Sequence, residues 1–250
     1  MRRVQRYLVP PSCFVGDTAV LRGEDAHHIA RVMRMVPGDR VEVGDGSGTV
    51  WTAVIELVGA GEVHLSLENP LEEDGEARME LVLLQGLPKH DKMDLIVQKA
   101  TELGVARVIP VAAARSVVRY QTEQQIRRLQ RWRRIAKEAA EQAKRSRIPE
   151  IVQPVSAAEA WQLASQADVA LLLDESRRGR PLATALAGQP GVGRIAFAVG
   201  PEGGWDPGEV EEAASLGVEP VHLGPRILRT ETAGIAAAAA ILYHYGEWGR

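Results

Sequence analysis

AFAVGPEGGWDPGEVEEA, residues 196–213, decides the fold. A short apolar strand runs into Gly200-Pro201-Glu202-Gly203-Gly204, and a helix begins directly afterwards. Asp206 at the N-cap, Pro207 at the first helical position and Glu209 three residues after the cap form a capping-box start. The glycines allow backbone to approach backbone, or a ligand, without interference from Cβ atoms. In an open parallel sheet ligands lie beyond the carboxyl ends of the strands, so this turn is placed to bind one. The competing reading is a tight strand-to-helix turn that binds nothing. No Lys follows the glycines and their spacing is not GxGxxG, so neither phosphate-loop pattern applies.

Downstream, VHLGPRILRTETAGIAAAAAILY (221–243) repeats the theme. A strand ends at Leu223-Gly224, a Pro225–Leu228 loop follows, and Thr230 reads as the N-cap of an Ala-rich helix with Glu231 in its first turn. Upstream, strands and helices alternate: ELVLLQGL, a helix from Asp91 ended by Gly104, ARVIPVA, a long helix Thr122–Arg147, a helix Ala157–Gln166, and DVALLLDE. Short apolar strands between helices predict a parallel sheet covered on both faces. The first seventy residues differ. Val/Thr/Ile runs broken by Gly-Asp-Gly-Ser-Gly and Gly-Ala-Gly predict hairpins and a small β-barrel. Glu24–Arg34 reads as one short helix with Ile29, Val32 and Met33 facing inward. The acidic, Pro- and Gly-containing NPLEEDGEARM is a linker, which gives domains 1–72 and 73–250.

The 250 residues are 45% hydrophobic and 25% charged with a net charge of −3, which excludes a disordered chain. The longest apolar run, Ala233–Tyr243, is too short to span a membrane. One cysteine, Cys13, excludes an internal disulfide, and the six histidines show no metal-ligand spacing, so no metal is expected. No apolar stretch of secretory type follows the basic start, and the expected location is cytoplasmic. The charge is unevenly spread. Arg115–Arg147 holds eleven Lys/Arg against three Glu, a local +8 that suits a polyanionic partner. A solvated helix face is the alternative.

Four stretches carry a resemblance: KHDKMDLIVQKATELGV (89–105), RWRRIAKEAAEQAKRSRIPEI (131–151), AVGPEGGWDPGEVE (198–211) and HLGPRILRTETA (222–233). In that order and spacing the chain resembles the RsmE family of ribosomal RNA methyltransferases, within the SPOUT superfamily. Ala114 stands where that pattern has Glu, while Arg115 is retained.

The resemblance implies an α/β fold: a PUA-like β-barrel followed by a SPOUT-type parallel sheet whose last segments thread a trefoil knot. It also implies a homodimer, S-adenosylmethionine as cofactor, 16S rRNA or the small ribosomal subunit as partner, and methylation of one uridine at N3. On that basis the cofactor would meet Gly200, Pro201, Glu202, Gly203 and Gly204, then Leu223, Gly224, Ile227, Leu228 and Thr230, with Leu172 and Leu173 as an apolar wall. Arg229 would stabilise the developing uridine anion, with Glu202 or Glu231 taking the proton or orienting the base. RNA would contact Arg2, Arg3, Arg6, Arg22, Arg31, Arg34, Arg115, Arg127, Arg131, Arg134, Arg145 and Arg147. Two other readings share these features: ribose 2′-O methylation within the same superfamily, and a non-catalytic RNA-binding assembly factor.

Overall fold

A computed structural model describes residues 4–71, 75–116, 122–176, 179–189 and 191–248. The chain divides into two compact units, Met1–Glu76 with Ala140–Ile148, and Ala77–Ala139 with Pro149–Arg250. The boundary read at residues 72 and 73 lies outside the described residues.

The first unit holds β1 (Arg6–Leu8), β2 (Phe14–Val15), β3 (Thr18–Arg22), α1 (Gly23–His27), β4 (Arg40–Gly44), β5 (Val50–Val58) and β6 (Glu62–Pro70). They form one sheet in the order β1-β4-β5-β6-β3-β2, antiparallel except for β1 beside β4. Alternation sets the faces: in β4, Val41 and Val43 are buried while Arg40 and Glu42 turn away. Tyr7, Leu21, Ile29, Val41, Ile55 and Leu65 share the core. The helix expected to Arg34 is α1 alone, continued by a π-turn over His28–Val32 and closed at Arg34 with φ +53°. The wider π winding changes the phase of the side chains. Ile29 stays buried as expected, but Val32 is turned out to solvent.

The second unit holds β7 (Glu80–Gly86), α2 (Lys92–Leu103), β8 (Arg107–Ala112), α3 (Thr122–Gln142), β9 (Glu150–Ile151), β10 (Val155–Ser156), α4 (Ala157–Ala164), β11 (Val169–Leu173), β12 (Arg180–Pro181), α5 (Leu182–Leu186), β13 (Arg194–Val199), α6 (Pro207–Ser215), β14 (Glu219–His222) and α7 (Thr230–His244). The strand order is β10-β8-β7-β13-β11-β14-β12, with β9 also on β8, and every pairing is parallel, as the alternating pattern predicts. Gly104 at φ +99° ends α2.

The last turn of α3 belongs to the first unit, and the helix stops at Gln142 rather than Arg147. Lys144 takes φ +61°, and the Glu76 carboxylate captures the backbone N–H groups of Ser146 and Arg147 at 3.0 Å each. A carboxylate therefore replaces the helical carbonyls that these two groups would otherwise meet. Glu76 also holds the Arg145 guanidinium, at 2.7 and 3.2 Å. Arg145 is 2% exposed. Arg6 is buried likewise, with its Nε 2.8 Å from Glu42. Both were expected on RNA. Their guanidiniums are buried in ion pairs, which removes them from that set.

Candidate active site

In the sheet β11 lies between β13 and β14, so the carboxyl ends of these three strands are neighbours. The segments that leave them meet around a cavity of about 690 Å³. From β13 come Gly200, Pro201, Glu202 and Gly204; from β14 come Leu223, Gly224, Ile227, Leu228, Arg229 and Thr230. The two turns singled out in the sequence thus form one site.

The 200–204 turn is shaped from both sides. The capping box on α6 is present, with Asp206 accepting from Gly208 N–H at 3.1 Å and Glu209 accepting from Asp206 N–H at 2.9 Å. Glu209 also accepts the backbone N–H of Ala114 at 2.7 Å. Arg115 donates to the Gly203 carbonyl at 3.1 Å and lies 3.5 Å from Asp206, so it braces the turn and lines the cavity rim. A Cβ on Gly86, at the end of β7, would come within 2.5 Å of Pro201 Cδ, so backbone meets backbone here.

Two of the residues expected to meet the cofactor lie elsewhere. Leu172 is wholly buried in the core, and only Leu173 reaches the cavity, because successive strand residues face opposite ways. Gly203 lies outside the lining and faces Arg115. Thr230 is not the cap of α7; Arg229 holds that position, without a side-chain cap bond. The Thr230 hydroxyl donates instead to the Gly200 carbonyl at 2.6 Å and accepts from Gln85 Nε2 at 2.9 Å.

The charged groups fall into two classes. Glu202 is tied down: Lys92 Nζ lies 2.9 Å from it, and Lys89 N–H donates to both carboxylate oxygens at 3.2 Å. Partial burial pushes the Glu202 carboxyl up, but the Lys92 hydrogen bond and the backbone N–H groups outweigh it and hold it below its usual range. The same hydrogen bond to Glu202 raises Lys92. Lys92 also lies 3.2 Å from Glu231 Oε2, an ion pair outside hydrogen-bond geometry. Glu231 is absent from the cavity lining and is joined to the site through this lysine. Arg229 and Arg226, by contrast, line the cavity and are exposed, and their guanidiniums have no hydrogen bond or ion pair among the described residues.

Sequence reasoning missed Asp174, Glu175, Ser176, Trp205 and His222 in the lining. Asp174 and Glu175 close the segment DVALLLDE, and a carboxyl-terminal strand end is itself the signal that marks them. Lys92 stands in the first of the four matching stretches, but no local pattern gives it a partner.

An RNA methyltransferase domain profile matches residues 75–242, and an RNA methyltransferase PUA domain profile matches residues 21–68. The ribosomal RNA small subunit methyltransferase E of Bacillus subtilis is 35% identical over 230 residues, 90% of each chain. The chain belongs to the RsmE family. The protein of the same name from Mycobacterium bovis is 32% identical, over 93% of this chain and 89% of its own length. Among solved structures, the Neisseria gonorrhoeae ribosomal RNA small subunit methyltransferase E bound to S-adenosyl methionine superposes with a TM-score of 0.86 at 31% identity, covering 96% of this chain and 98% of that one. RsmE membership accounts for both units: a PUA-like first unit and a methyltransferase second unit. Among the described residues no group of His, Cys, Asp and Glu is arranged to hold a metal ion, and no helix is long and apolar enough to cross a membrane.

The exposed arginines of the first unit include Arg22, Arg31, Arg34 and Arg147; those on α3 include Arg127, Arg131 and Arg134. Arg22 lies 3.3 Å from Glu62, Arg131 is paired with Asp94, and Arg134 is 3.6 Å from Glu138. Arg2 and Arg3 lie outside the described residues.

Proposed function

We propose that this protein methylates N3 of a uridine in 16S rRNA, using S-adenosylmethionine held in the cavity between the 200–204 turn and the 223–229 loop. The observation that carries the reading is the meeting of these two segments around one cavity with an unpaired arginine, Arg229, in its wall.

The residues fit such a cofactor. A volume of about 690 Å³ lies within the ~300–1,000 Å³ of small-ligand sites. The backbone groups of Arg226, Ile227 and Leu228 make no hydrogen bond among the described residues, although all three line the cavity. Unspent donors and acceptors of this kind suit the edges of an adenine and a ribose. Leu173, Val199 and the exposed Ile227 supply apolar surface.

When bound, the cofactor supplies a methyl group already activated by its sulfonium. The protein then has to position the base and stabilise the anion left on it as the N3 proton passes to solvent water. Arg229 takes the second task, being the charged cap residue of α7 with no competing partner. Glu202 is held as a carboxylate by Lys92, so it and Glu231 orient the site through that lysine rather than take the proton. The exposed arginines of each unit offer phosphate contacts, and N3 lies on the pairing edge, so the target uridine is presented unpaired. A homodimer, a cytoplasmic location and a knot belong to the same reading. For the knot, the chain leaves β14, on the far side of β11, and returns to place Thr230 against Gly200 and Gln85.

Nucleoside mass spectrometry of 16S rRNA incubated with protein and cofactor tests the proposal, 3-methyluridine being the expected product. Arg229→Ala is expected to keep cofactor-induced thermal stabilisation and lose about 10²-fold in rate. A 2′-O-methylated product, or a wild-type rate in Arg229→Ala, overturns it.

A further inference from the structure

The mechanism leaves unexplained a wholly buried polar side chain that bonds to a residue of the cavity wall. Gln85, the penultimate residue of β7, has no solvent exposure. Its Nε2 donates to the Gly86 carbonyl at 3.0 Å and to Thr230 Oγ1 at 2.9 Å, and lies 3.5 Å from the Val199 carbonyl. Thr230 Oγ1 passes its own proton on to the Gly200 carbonyl at 2.6 Å. Only carbonyls and a hydroxyl that is already donating surround Nε2, which fixes the amide orientation. The other amide atom, Oε1, is buried without a hydrogen-bond partner. An orphaned buried acceptor is costly, so a packing role alone would be served better by an apolar residue.

The chain of bonds has a direction. It starts at the end of β7, crosses the first residue of α7, and ends on the first residue of the turn after β13. Those last two points are the roots of the two segments that face each other across the cavity. The single hydroxyl between them spends its only proton on the Gly200 carbonyl, so it has none to donate to a ligand.

We propose that Gln85 is a positioning residue for cofactor binding: through Thr230 its amide fastens the 223–229 loop to the 200–204 turn. The inference rests on reading the cavity as the S-adenosylmethionine site. Gln85 is absent from the lining and acts only through Thr230. Cofactor affinity therefore depends on this chain, and so does the placing of Arg229 on the same loop, while RNA affinity does not.

The test compares Gln85→Leu, Thr230→Val and Thr230→Ser with wild type by calorimetric titration with S-adenosylmethionine, RNA binding, and kcat at saturating cofactor. Val keeps the shape of Thr and loses the hydroxyl; Ser keeps the hydroxyl. Gln85→Leu and Thr230→Val are each expected to raise the cofactor Kd about tenfold or more and to lower kcat, because Arg229 adjoins Thr230 on the released loop, with RNA Kd within about threefold of wild type. Thr230→Ser restores the cofactor Kd to within about threefold. Because both residues act through one chain of bonds, the double variant binds no more weakly than the weaker single variant, within about twofold. If Gln85→Leu does not fold, the Val and Ser pair decides alone. A Thr230→Val protein with wild-type cofactor Kd overturns the proposal, as does a double variant whose loss is the product of the two single losses. Wild-type protein that binds no S-adenosylmethionine overturns the cofactor reading itself, and the proposal with it; wild type that binds beside an unaffected Thr230→Val overturns the fastening alone.

Discussion

Arg145→Ala separates structural from RNA-facing arginines within one basic stretch. The Arg145 side chain is 3% exposed and its Glu76 partner 11%, with two guanidinium contacts at 2.7 and 3.2 Å. Removing one member of a buried pair costs about 3–5 kcal/mol. Glu76 keeps two backbone N–H donors at 3.0 Å, which points to the lower end of that range. With an m-value of about 2 kcal/mol/M, a loss of about 3 kcal/mol moves the urea midpoint of this unit down by roughly 1.5 M. Arg127 on α3 is exposed and has no partner among the described residues. Arg127→Ala is expected to leave the midpoint within the equivalent of about 0.5 kcal/mol. It should flatten the dependence of log K for RNA on log salt by about 0.7–0.9, the value of one phosphate contact. The assays are urea denaturation and filter binding of rRNA across a salt series. An Arg145→Ala protein that unfolds at the wild-type midpoint while losing salt slope would refute the assignment of this arginine to the fold.

Three further outcomes follow from the geometry. Glu202 titrates below its ordinary 4.5, so its ion pair contributes above that pH and fades as pH falls through the lowered value; Lys92 titrates above 10.5, so its share is present below that pH and fades beyond it. Lys92→Met should therefore cost about 0.5–1 kcal/mol at pH 7 and progressively less as the pH falls through the lowered Glu202 value, and a deficit that does not shrink on acidification argues against the pair. Gly86→Ala places a methyl 2.5 Å from Pro201 Cδ, should cost about 1–3 kcal/mol, and should weaken cofactor-induced thermal stabilisation; an unchanged melting curve with and without cofactor counts against the close approach. Ser156 caps α4 by accepting Glu159 N–H at 3.2 Å, so Ser156→Ala should lower stability by about 0.5–2 kcal/mol and leave methylation untouched, as differential scanning calorimetry beside a rate assay would show.

The parts of this molecule that were legible from sequence are those set by local chemistry. Asp206, Pro207 and Glu209 announce the start of α6 because capping is a contact between near neighbours. The parallel sheet was legible from its strand–helix alternation, and the two turns from their glycines. What stayed hidden depends on residues far apart in the chain. Nothing near Arg145 says that Glu76, 69 positions earlier, waits for its guanidinium, so the residue reads like its solvated neighbours. Nothing near Thr230 says that Gly200 and Gln85 will claim its hydroxyl, so the N-cap reading prevails. Val32 was misplaced for a third reason: a π-turn has no sequence period that distinguishes it from an α-helix over five residues.

The same distinction explains which charges are free to act. Lys92 reaches Glu202 and Glu231 from the first turn of α2, so two of the three residues first assigned to catalysis are already engaged before any substrate arrives. An engaged carboxylate held below its usual range is a weak proton acceptor, and one shared lysine makes the two acids a unit rather than alternatives. Arg226 and Arg229 sit on a loop in which the backbone groups of Arg226, Ile227 and Leu228 are also unspent among the described residues. A segment with idle backbone groups and idle guanidiniums has little to hold it except what it binds, and it is anchored at its end by the Thr230 hydroxyl. Rigid acids on one side and a tethered, cation-bearing loop on the other suit a site that must hold a cationic methyl donor and still admit a polyanion.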